Sequence, residues 1–267
     1  MAANGSRPVG SLLRSWRERR RLSQLELAHL AQVSPKHLSF VETGRAVPSP
    51  EMVLHLARHL DVPLRHRNDL LLAAGHAPRH TALAWDDDEL APIRHAVRAV
   101  LAGHEPAPAI VVDRRWNLVD ANRAAALLTE GVVPQLLEPP VNVLRSCLHP
   151  AGLAARIRNV GEWADHILTN LAKQLQLAPD PALEALHEEL LGYAEALAVR
   201  PGSRDSGTRL AVPLHLATRD GDVRLVATIA TFGTAVDATL AELAIEAFLP
   251  ADADSRRVLE RRRDVAA

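Results

Sequence analysis

One stretch near the N-terminus concentrates side chains that can contact nucleic acid. They are Lys36, His37, Ser39 and Phe40. Ammonium, imidazole and hydroxyl groups hydrogen-bond to base edges and phosphates, and the Phe40 ring would either contact the methyl group of thymine or pack inward. Leu38 and Val41 are spaced as the buried side of a short helix, so the other side chains would face outward. These residue types predict a surface that reads DNA bases.

Two short helices joined by a tight turn would carry this surface. Ser23 and Glu26 form the S-x-x-E pattern of a capping box, which starts the first helix. Ser34 followed by Pro35 is typical of a helix N-terminus, and Gly44 can end that second helix in a left-handed conformation. The order predicts a helix-turn-helix, whose second helix enters the major groove.

The turn between the helices leaves an alternative open. Gln32 stands where a glycine would be easiest, and a left-handed non-glycine residue costs about 1–2 kcal/mol. An ordinary helical hairpin with a solvated outer face would give the same local pattern. Ala28 favours the helix-turn-helix, because its small side chain lets a second helix cross closely.

The surrounding residues favour DNA binding. Upstream, Leu13 and Trp16 belong to an amphipathic helix that ends in the basic run Arg17–Arg21, and Ser49 and Pro63 begin two further helices. Five short helices predict an all-α domain over residues 1–80.

Charge is unevenly distributed along the chain. Residues 1–80 carry 12 basic and 6 acidic side chains, whereas the remainder carries 19 and 26. A basic N-terminal domain suits phosphate binding, and an acidic remainder would be repelled by DNA. We therefore expect a second domain with a different role.

Residues 10–61 resemble the Cro/CI-type (XRE) helix-turn-helix family. The segments LSQxELA, VSxxxLSxxE and G-R-x-x-P-S occur in order, although the family usually has glycine at the position of Gln32. The resemblance implies that Arg17 and Gln24 contact phosphates, and Arg45 can reach another phosphate. The complete set of predicted DNA contacts is Arg17, Gln24, Ser34, Lys36, His37, Ser39, Phe40 and Arg45.

Cysteine usage, hydropathy and the absence of catalytic motifs argue against a disulfide-bonded protein, a zinc finger, a membrane protein and an enzyme. The single Cys147 gives neither an internal disulfide nor a zinc-finger spacing, and the scattered His predict no metal site. No apolar run approaches 18 residues and no signal-peptide core is present, so we expect a cytoplasmic protein without a membrane span. Cys147 and His149 suggest a nucleophile and a base, but residues two apart do not converge on a helix. No Gly-rich phosphate loop, HExxH or GxSxG motif accompanies them, so we expect no enzyme.

The remainder of the chain predicts an α+β domain over residues 105–252, after a linker at 81–104 and before a charged tail at 253–267. The predicted elements are a connecting helix at 87–103, strands near 109–112 and 116–119, helices at 121–128, 141–148, 153–174 and 181–197, and strands at 209–218 and 223–232. Asp220-Gly221 makes a hairpin turn, and Pro213 should lie at an edge or bulge. Together these elements predict an antiparallel sheet that is covered on one side by helices. The Asp86–Asp88 triplet could bind a cation, but capping of the connecting helix explains it better.

This domain resembles a PAS-type sensor and, over longer segments, the MmyB-like transcription regulators. Those segments include PAPAIVVDRRWNLVDANRAAALL, NVLRSCLHPAGL and FGTAVDATLAELAIEAFLPAD. The family joins an XRE helix-turn-helix to a PAS-like ligand-binding domain, and the resemblance spans about residues 10–252. It implies a transcription regulator whose second domain holds a small lipophilic molecule, with a fatty acid as the first candidate.

Six residues are candidates for the ligand site. They are Trp116, Asn122, Arg145, His149, Asn159 and Trp163. Arg145 beside an apolar cavity would suit a carboxylate, which it can bind through paired N–H donors. The alternatives are a surface charge for Arg145, a turn residue for His149, a helix cap for Asn122 and plain core packing for the two Trp.

The leading hypothesis is a homodimer that places its recognition helices in successive major grooves, about 34 Å apart. A ligand must bind the DNA-competent and incompetent states unequally to switch them, and the helix at 87–103 is the candidate for carrying that difference. In the alternatives, the second domain serves only dimerisation or carries haem or flavin, or the protein is an enzyme with a DNA-binding appendage.

Overall fold

The computed structural model describes residues 8–198, 212–233, 235 and 237–266. They divide into two compact units, one built mainly on residues up to Ala84 and the other mainly on residues from Trp85 onward. The first unit contains the helices α1 (Val9–Arg19), α2 (Gln24–Leu30), α3 (Pro35–Glu42), α4 (Pro50–His59) and α5 (Leu64–Ala73). It is the all-α five-helix domain that the sequence predicts.

Serine caps begin three of these helices. The Ser23 hydroxyl accepts from the Glu26 backbone N–H at 3.1 Å, and the Glu26 carboxylate accepts from the Ser23 N–H at 2.6 Å, which confirms the capping box. Ser34 and Ser49 cap α3 and α4 in the same way, each with a proline following. These caps satisfy backbone donors that the first turn leaves free.

The core of this domain depends on small residues at the α1–α3 crossing. Leu13, Leu38 and Val41 are fully buried together. A Cβ atom added to Gly10 would lie 2.3 Å from the carbonyl oxygen of Val41. Only glycine therefore allows α1 to approach the C-terminal end of α3 this closely.

The second unit is built on a five-stranded antiparallel sheet. Its strands are β1 (Ala109–Val112), β2 (Leu118–Ala121), β3 (Leu214–Thr218), β4 (Gly221–Thr231) and β5 (Ala244–Pro250). Their order is β2-β1-β5-β4-β3, so β5 is central. Pro213 precedes the edge strand β3, where its missing N–H costs no ladder bond.

Helices complete this α+β, PAS-like domain. They are α6 (Ala91–Gly103), α7 (Val143–Leu148), α8 (Val160–Leu177), α9 (Pro181–Ala196) and α11 (Ala253–Ala266), with 3-10 turns at Asp88–Leu90, Arg123–Leu128, Pro134–Leu137 and Leu153–Arg156. The short helix α10 (Ala238–Glu242) lies between β4 and β5 in the chain. Buried residues of the sheet, of α7 to α9 and of α11 form one apolar core. The fold class agrees with the sequence-based expectation.

Several predicted elements need correction. The charged tail at 253–267 is helical from Ala253 to Ala266, because Val258 and Leu259 are buried in the domain core. The helix predicted at 153–174 is broken by a turn, and α8 begins only at Val160. Val100 of α6 is 47% exposed although its spacing suggests the buried face. Residues 209–211 of the predicted strand lie outside the described residues.

Strand β5 was not identified as a strand by its sequence pattern. Its seven residues are nearly continuous in burial rather than alternating. A strand buried on both faces shows no period of two, so its pattern cannot be distinguished from that of a buried helix.

Candidate DNA-binding surface and ligand cavity

Helix α3 presents a partly exposed polar face. Lys36 is exposed, His37 and Ser39 are half-buried, and Leu38 and Val41 between them are fully buried. The inward and outward faces are therefore those expected from the spacing. This arrangement leaves an ammonium, an imidazole and a hydroxyl available on one side of the helix.

Phe40 lies on the same surface between two cations. The Lys36 Nζ atom is 5.7 Å and the Arg45 guanidinium carbon 5.9 Å from the centre of its ring. Phe40 is half-buried and does not belong to the apolar core of this domain. Cations above an aromatic face are weakly stabilised, so this cluster keeps two positive groups beside the outer face of α3.

The turns around α3 have the predicted backbone. Gln32 has a φ of 52° and Gly44 a φ of 73°, so both adopt the left-handed conformation. Gln32 thus occupies the position where a glycine is easiest, and packing on both sides of the turn holds it there. Ser34 is the N-cap of α3, where its hydroxyl accepts from the His37 N–H at 3.1 Å.

Arg17 does not face solvent as a phosphate contact would require. Its guanidinium donates to both carboxylate oxygens of Glu42, at 2.7 and 2.9 Å, and to the Leu22 carbonyl oxygen at 2.8 Å. Only 10% of the Arg17 side chain and 3% of the Glu42 side chain are exposed. The pair connects α1 to the end of α3, and this structural role replaces the expected phosphate contact.

Gln24 belongs to the same network. Its side-chain amide donates to the Glu42 carboxylate at 3.0 Å, and the residue is half-buried. The Glu42 carboxylate therefore accepts hydrogen bonds from both α1 and α2. Arg45, in contrast, is exposed after the end of α3.

The second domain contains an apolar cavity of about 660 Å³ between the sheet and the helices α7 and α8. Its walls include Ile110, Ala227, Ile229 and Phe248 from the sheet, Val143 and Leu144 from α7, and Ile167 from α8. The volume lies within the range of about 300–1,000 Å³ that is typical of small-molecule sites.

Both predicted Trp line this cavity. Trp116 donates from Nε1 to the Gln174 side-chain oxygen at 3.0 Å, and its φ of 64° is unusual for a bulky residue. Trp163 donates from Nε1 to the Cys147 sulfur at 3.3 Å and is stacked against His166. Hydrogen bonds thus fix the orientation of both rings at the cavity wall.

Asn122 also lines the cavity, but its amide is used by the backbone. Its Nδ2 donates to the carbonyl oxygens of Leu101 and Ala107 at 3.2 and 2.8 Å. Its Oδ1 accepts from the N–H groups of Ala109 and Ala125 at 3.0 and 3.1 Å. Asn122 is therefore a cap that connects the end of α6, the start of β1 and the turn after β2.

Arg145, His149 and Asn159 are not among the residues that line the cavity. Arg145 binds Glu189 through two hydrogen bonds of 2.6 and 2.7 Å, and this pairing holds the pKa of the Glu189 carboxyl below its usual range. Its paired donors are thus already used by a protein carboxylate, and the geometry does not support the expected contact with a ligand carboxylate.

The other two residues have structural partners as well. His149 accepts from the Ala151 N–H at 3.0 Å and packs edge-on against Tyr193. Asn159 donates to the Pro213 carbonyl oxygen at 2.8 Å and accepts from the His215 N–H at 3.0 Å, which fastens the start of α8 to β3.

Cys147 faces the cavity as a protonated thiol. Burial raises the pKa of this thiol to about 12, and the nearby charge of Glu246 also raises it. A protonated thiol is a poor nucleophile. The arrangement therefore gives no support to a catalytic role for Cys147.

Glu246 is a cavity residue that the sequence analysis missed. It lies on β5 and lines the cavity, with only 9% of its surface exposed. Burial raises the pKa of its carboxyl to about 7. The signal was present in the sequence, because Glu246 interrupts an otherwise apolar run from Ala244 to Leu249.

No group of residues suited to hold a metal ion occurs among the described residues. In the same part of the chain, no helix combines the length and the apolar character that crossing a membrane requires.

Comparisons with known families identify both domains. Residues 8–70 match the model of a helix-turn-helix domain, and residues 93–261 match that of the MmyB-like transcription regulator ligand binding domain. No curated protein matched the chain. The second match alone covers more than half of the 267 residues. The chain therefore belongs to the MmyB-like family, as a DNA-binding transcription regulator with a ligand-binding domain.

Proposed function

We propose that this regulator binds its operator as a homodimer and that a lipophilic molecule in the cavity of the second domain changes its affinity for DNA. The observation that carries the proposal is the apolar cavity of about 660 Å³ in the domain that matches the ligand-binding family. The family resemblance makes a fatty acid the first candidate for the ligand.

The DNA-binding part of the proposal rests on α3 and the residue cluster after it. Lys36, His37 and Ser39 lie on the outer face of a helix that follows a tight turn, which is the position of a recognition helix. Lys36 and Arg45 also lie near Phe40, so both can approach phosphates as the helix enters the groove. In this proposal Phe40 contacts a thymine methyl group.

The ligand-binding part rests on the shape and chemistry of the cavity. Most of its walls are apolar, and the two Trp rings at its wall are held by hydrogen bonds. A cavity of this kind gains affinity from burial of apolar ligand surface, at about 25 cal/mol per Å².

Asn122 offers a physical route from the cavity to the rest of the protein. It lines the cavity and holds the Leu101 carbonyl oxygen near the end of α6. The helix α6 follows the DNA-binding domain in the chain. A ligand that shifts Asn122 would thus shift the last turn of α6, and two positions of α6 would supply the two states that a switch requires.

A gel-shift titration tests the DNA-binding surface. The double variant Lys36→Ala/His37→Ala should lose preference for the operator over random DNA, since both base-reading donors are removed. Arg58→Ala is the matched control, because Arg58 is exposed on α4 and should leave the preference unchanged. An unchanged preference in the double variant would refute the recognition surface.

Mass spectrometry of the natively purified protein tests the cavity. We expect a co-purifying lipophilic molecule that is lost when Ala227→Trp fills the space between the sheet and the helices. A visible absorption band from haem or flavin, or an empty cavity in a protein whose operator binding no lipid alters, would contradict the proposal.

A further inference from the structure

Glu246 lies on the central strand of the sheet and lines the cavity. The strand β5 is the middle strand of the sheet, and Glu246 is paired in register with Ile110 on β1 and with Ile229 on β4. All three residues line the cavity, so the glutamate stands in a row between two isoleucines. An apolar residue at this position would fit the wall better than a carboxyl group.

The carboxyl group of Glu246 lacks a partner among the described residues. No described side chain forms an ion pair with it, and burial is the sole cause of its raised pKa. The other titratable or charged groups that line the cavity are Cys147 of α7, His166 of α8 and Arg123 of the 3-10 turn. Of these, Cys147 is close enough for the charge of Glu246 to raise the pKa of its thiol.

A buried carboxyl group without a partner requires an explanation. Nearly all buried polar groups in proteins are hydrogen-bonded, and exceptions are concentrated at functional sites. Asn122, Trp116 and Trp163 each have a protein partner at the same cavity. Glu246 therefore differs from these three residues, because its partner is not supplied by the described part of the protein.

We propose that Glu246 is the polar anchor of the cavity and that the ligand places a donor there, as the ammonium group of a long-chain amine does. This inference rests on the proposed function, because it assumes that the cavity holds a lipophilic regulator. The Glu246 carboxylate would receive charge-assisted hydrogen bonds from the ammonium group. The alkyl chain would lie along the apolar walls.

The same geometry disfavours a ligand carboxylate beside Glu246. Two carboxyl groups that share one site cannot both be ionised, so one of them must hold a proton. A fatty acid would then bind with its head group away from Glu246 or with a proton shared between the two acids. An alcohol, which can donate one hydrogen bond without a charge, should bind with intermediate affinity.

Three ligands with the same alkyl chain test the proposal on the full-length protein: dodecylamine, dodecanol and dodecanoate. Binding is measured at pH 8 by calorimetry, below the concentration at which each forms micelles. We expect dodecylamine to bind about tenfold or more tightly than dodecanoate, as a charge-assisted hydrogen bond predicts. This ranking uses the unaltered protein, so it does not depend on the folding of any variant.

Two variants then test whether Glu246 causes this ranking of ligand affinities. Glu246→Gln should bind dodecylamine about tenfold more weakly and dodecanoate more tightly, because the negative charge is gone while the shape is kept. Glu195→Gln is the matched control, since Glu195 is exposed on α9 and should keep the ranking of the wild type.

The outcomes separate this inference from the proposed function. If dodecanoate binds as tightly as dodecylamine, or Glu246→Gln leaves the ranking unchanged, the anchor is refuted while a lipid-sensing regulator stands. If the ranking holds but no ligand alters operator binding, the anchor is supported and the regulatory proposal fails. If none of the three ligands binds, both are overturned.

Discussion

The buried carboxyl of Glu246 should make the stability of the second domain depend on pH. Burial raises the pKa of this group to about 7 in the folded protein, against about 4.3 in an unfolded chain. Between these two values the folded state holds a proton that the unfolded state has lost. Stability is therefore greatest below the unfolded pKa, decreases as pH rises toward 7, and becomes constant above that value.

The size of the effect follows from the two pKa values. Each pKa unit corresponds to about 1.4 kcal/mol of free energy. Over the interval from pH 5 to pH 8, the wild type should lose between about 2 and 3 kcal/mol of stability from this one residue. Glu246→Gln cannot ionise, so the variant should lack this component.

Hydrogen exchange of the amides in β1 and β5 measures the effect where it arises. The free energy of opening is obtained for wild type and Glu246→Gln at each pH, and the difference between them isolates the residue from the other titrating groups. We expect the difference to change by between about 2 and 3 kcal/mol over this interval. Parallel curves for the two proteins would show that Glu246 ionises normally and that its burial does not shift its pKa.

Three further substitutions test structural contacts. Arg17→Ala should destabilise the N-terminal domain by about 3–5 kcal/mol, because Glu42 is left buried without its partner. The salt dependence of DNA binding should stay as in the wild type. A flatter salt dependence in gel shifts would instead indicate that Arg17 contacts a phosphate. Asn122→Ala should cost about 2–4 kcal/mol in urea unfolding, since four backbone groups lose their partner; an unchanged midpoint would contradict the capping role. Gly10→Ala should lower the melting temperature through the clash with the backbone of α3, with a loss of about 1–3 kcal/mol of stability. Gly103→Ala is the control, because its added methyl group meets open space and should be neutral or slightly stabilising. Equal melting temperatures for the two variants would disprove the close approach of α1 to α3.

Local sequence signals were sufficient for the DNA-binding domain. The caps at Ser23 and Ser34 and the left-handed Gly44 act within one or two helical turns, so their spacing alone predicts where the helices begin and end. The inward positions of Leu38 and Val41 follow from the same periodicity. Local periodicity also predicted the hairpin of β3 and β4, although its turn lies at Arg219 and Asp220, one residue earlier than expected, and Gly221 already begins β4.

Contacts between distant residues could not be predicted in this way. Arg17 and Glu42 are 25 positions apart, and Arg145 and Glu189 are 44 positions apart. Each arginine looks like an available cation in the sequence, and only the fold shows the carboxylate that occupies it. The resemblance to the family predicted a ligand site, but the residues that line it come from separate elements.

The position of Glu246 at the cavity could not be predicted from the sequence for the same reason. Its neighbours Ile110 and Ile229 are brought to it by strand pairing and are far away in the sequence. A charged residue in an apolar run was visible, but a run without a period of two does not reveal which face a side chain occupies. The sheet register shows that this acid faces the cavity.

Occupation of the cavity should change the affinity of the protein for DNA. The direct measurement is the dissociation constant of the full-length protein for its operator, at fixed salt, with and without a saturating ligand of the second domain. We expect a shift of at least about fivefold in one direction, as coupled sites usually show, and we expect Ala227→Trp, whose cavity is filled, to lose this shift. An identical dissociation constant with and without bound ligand would show that the cavity does not regulate DNA binding.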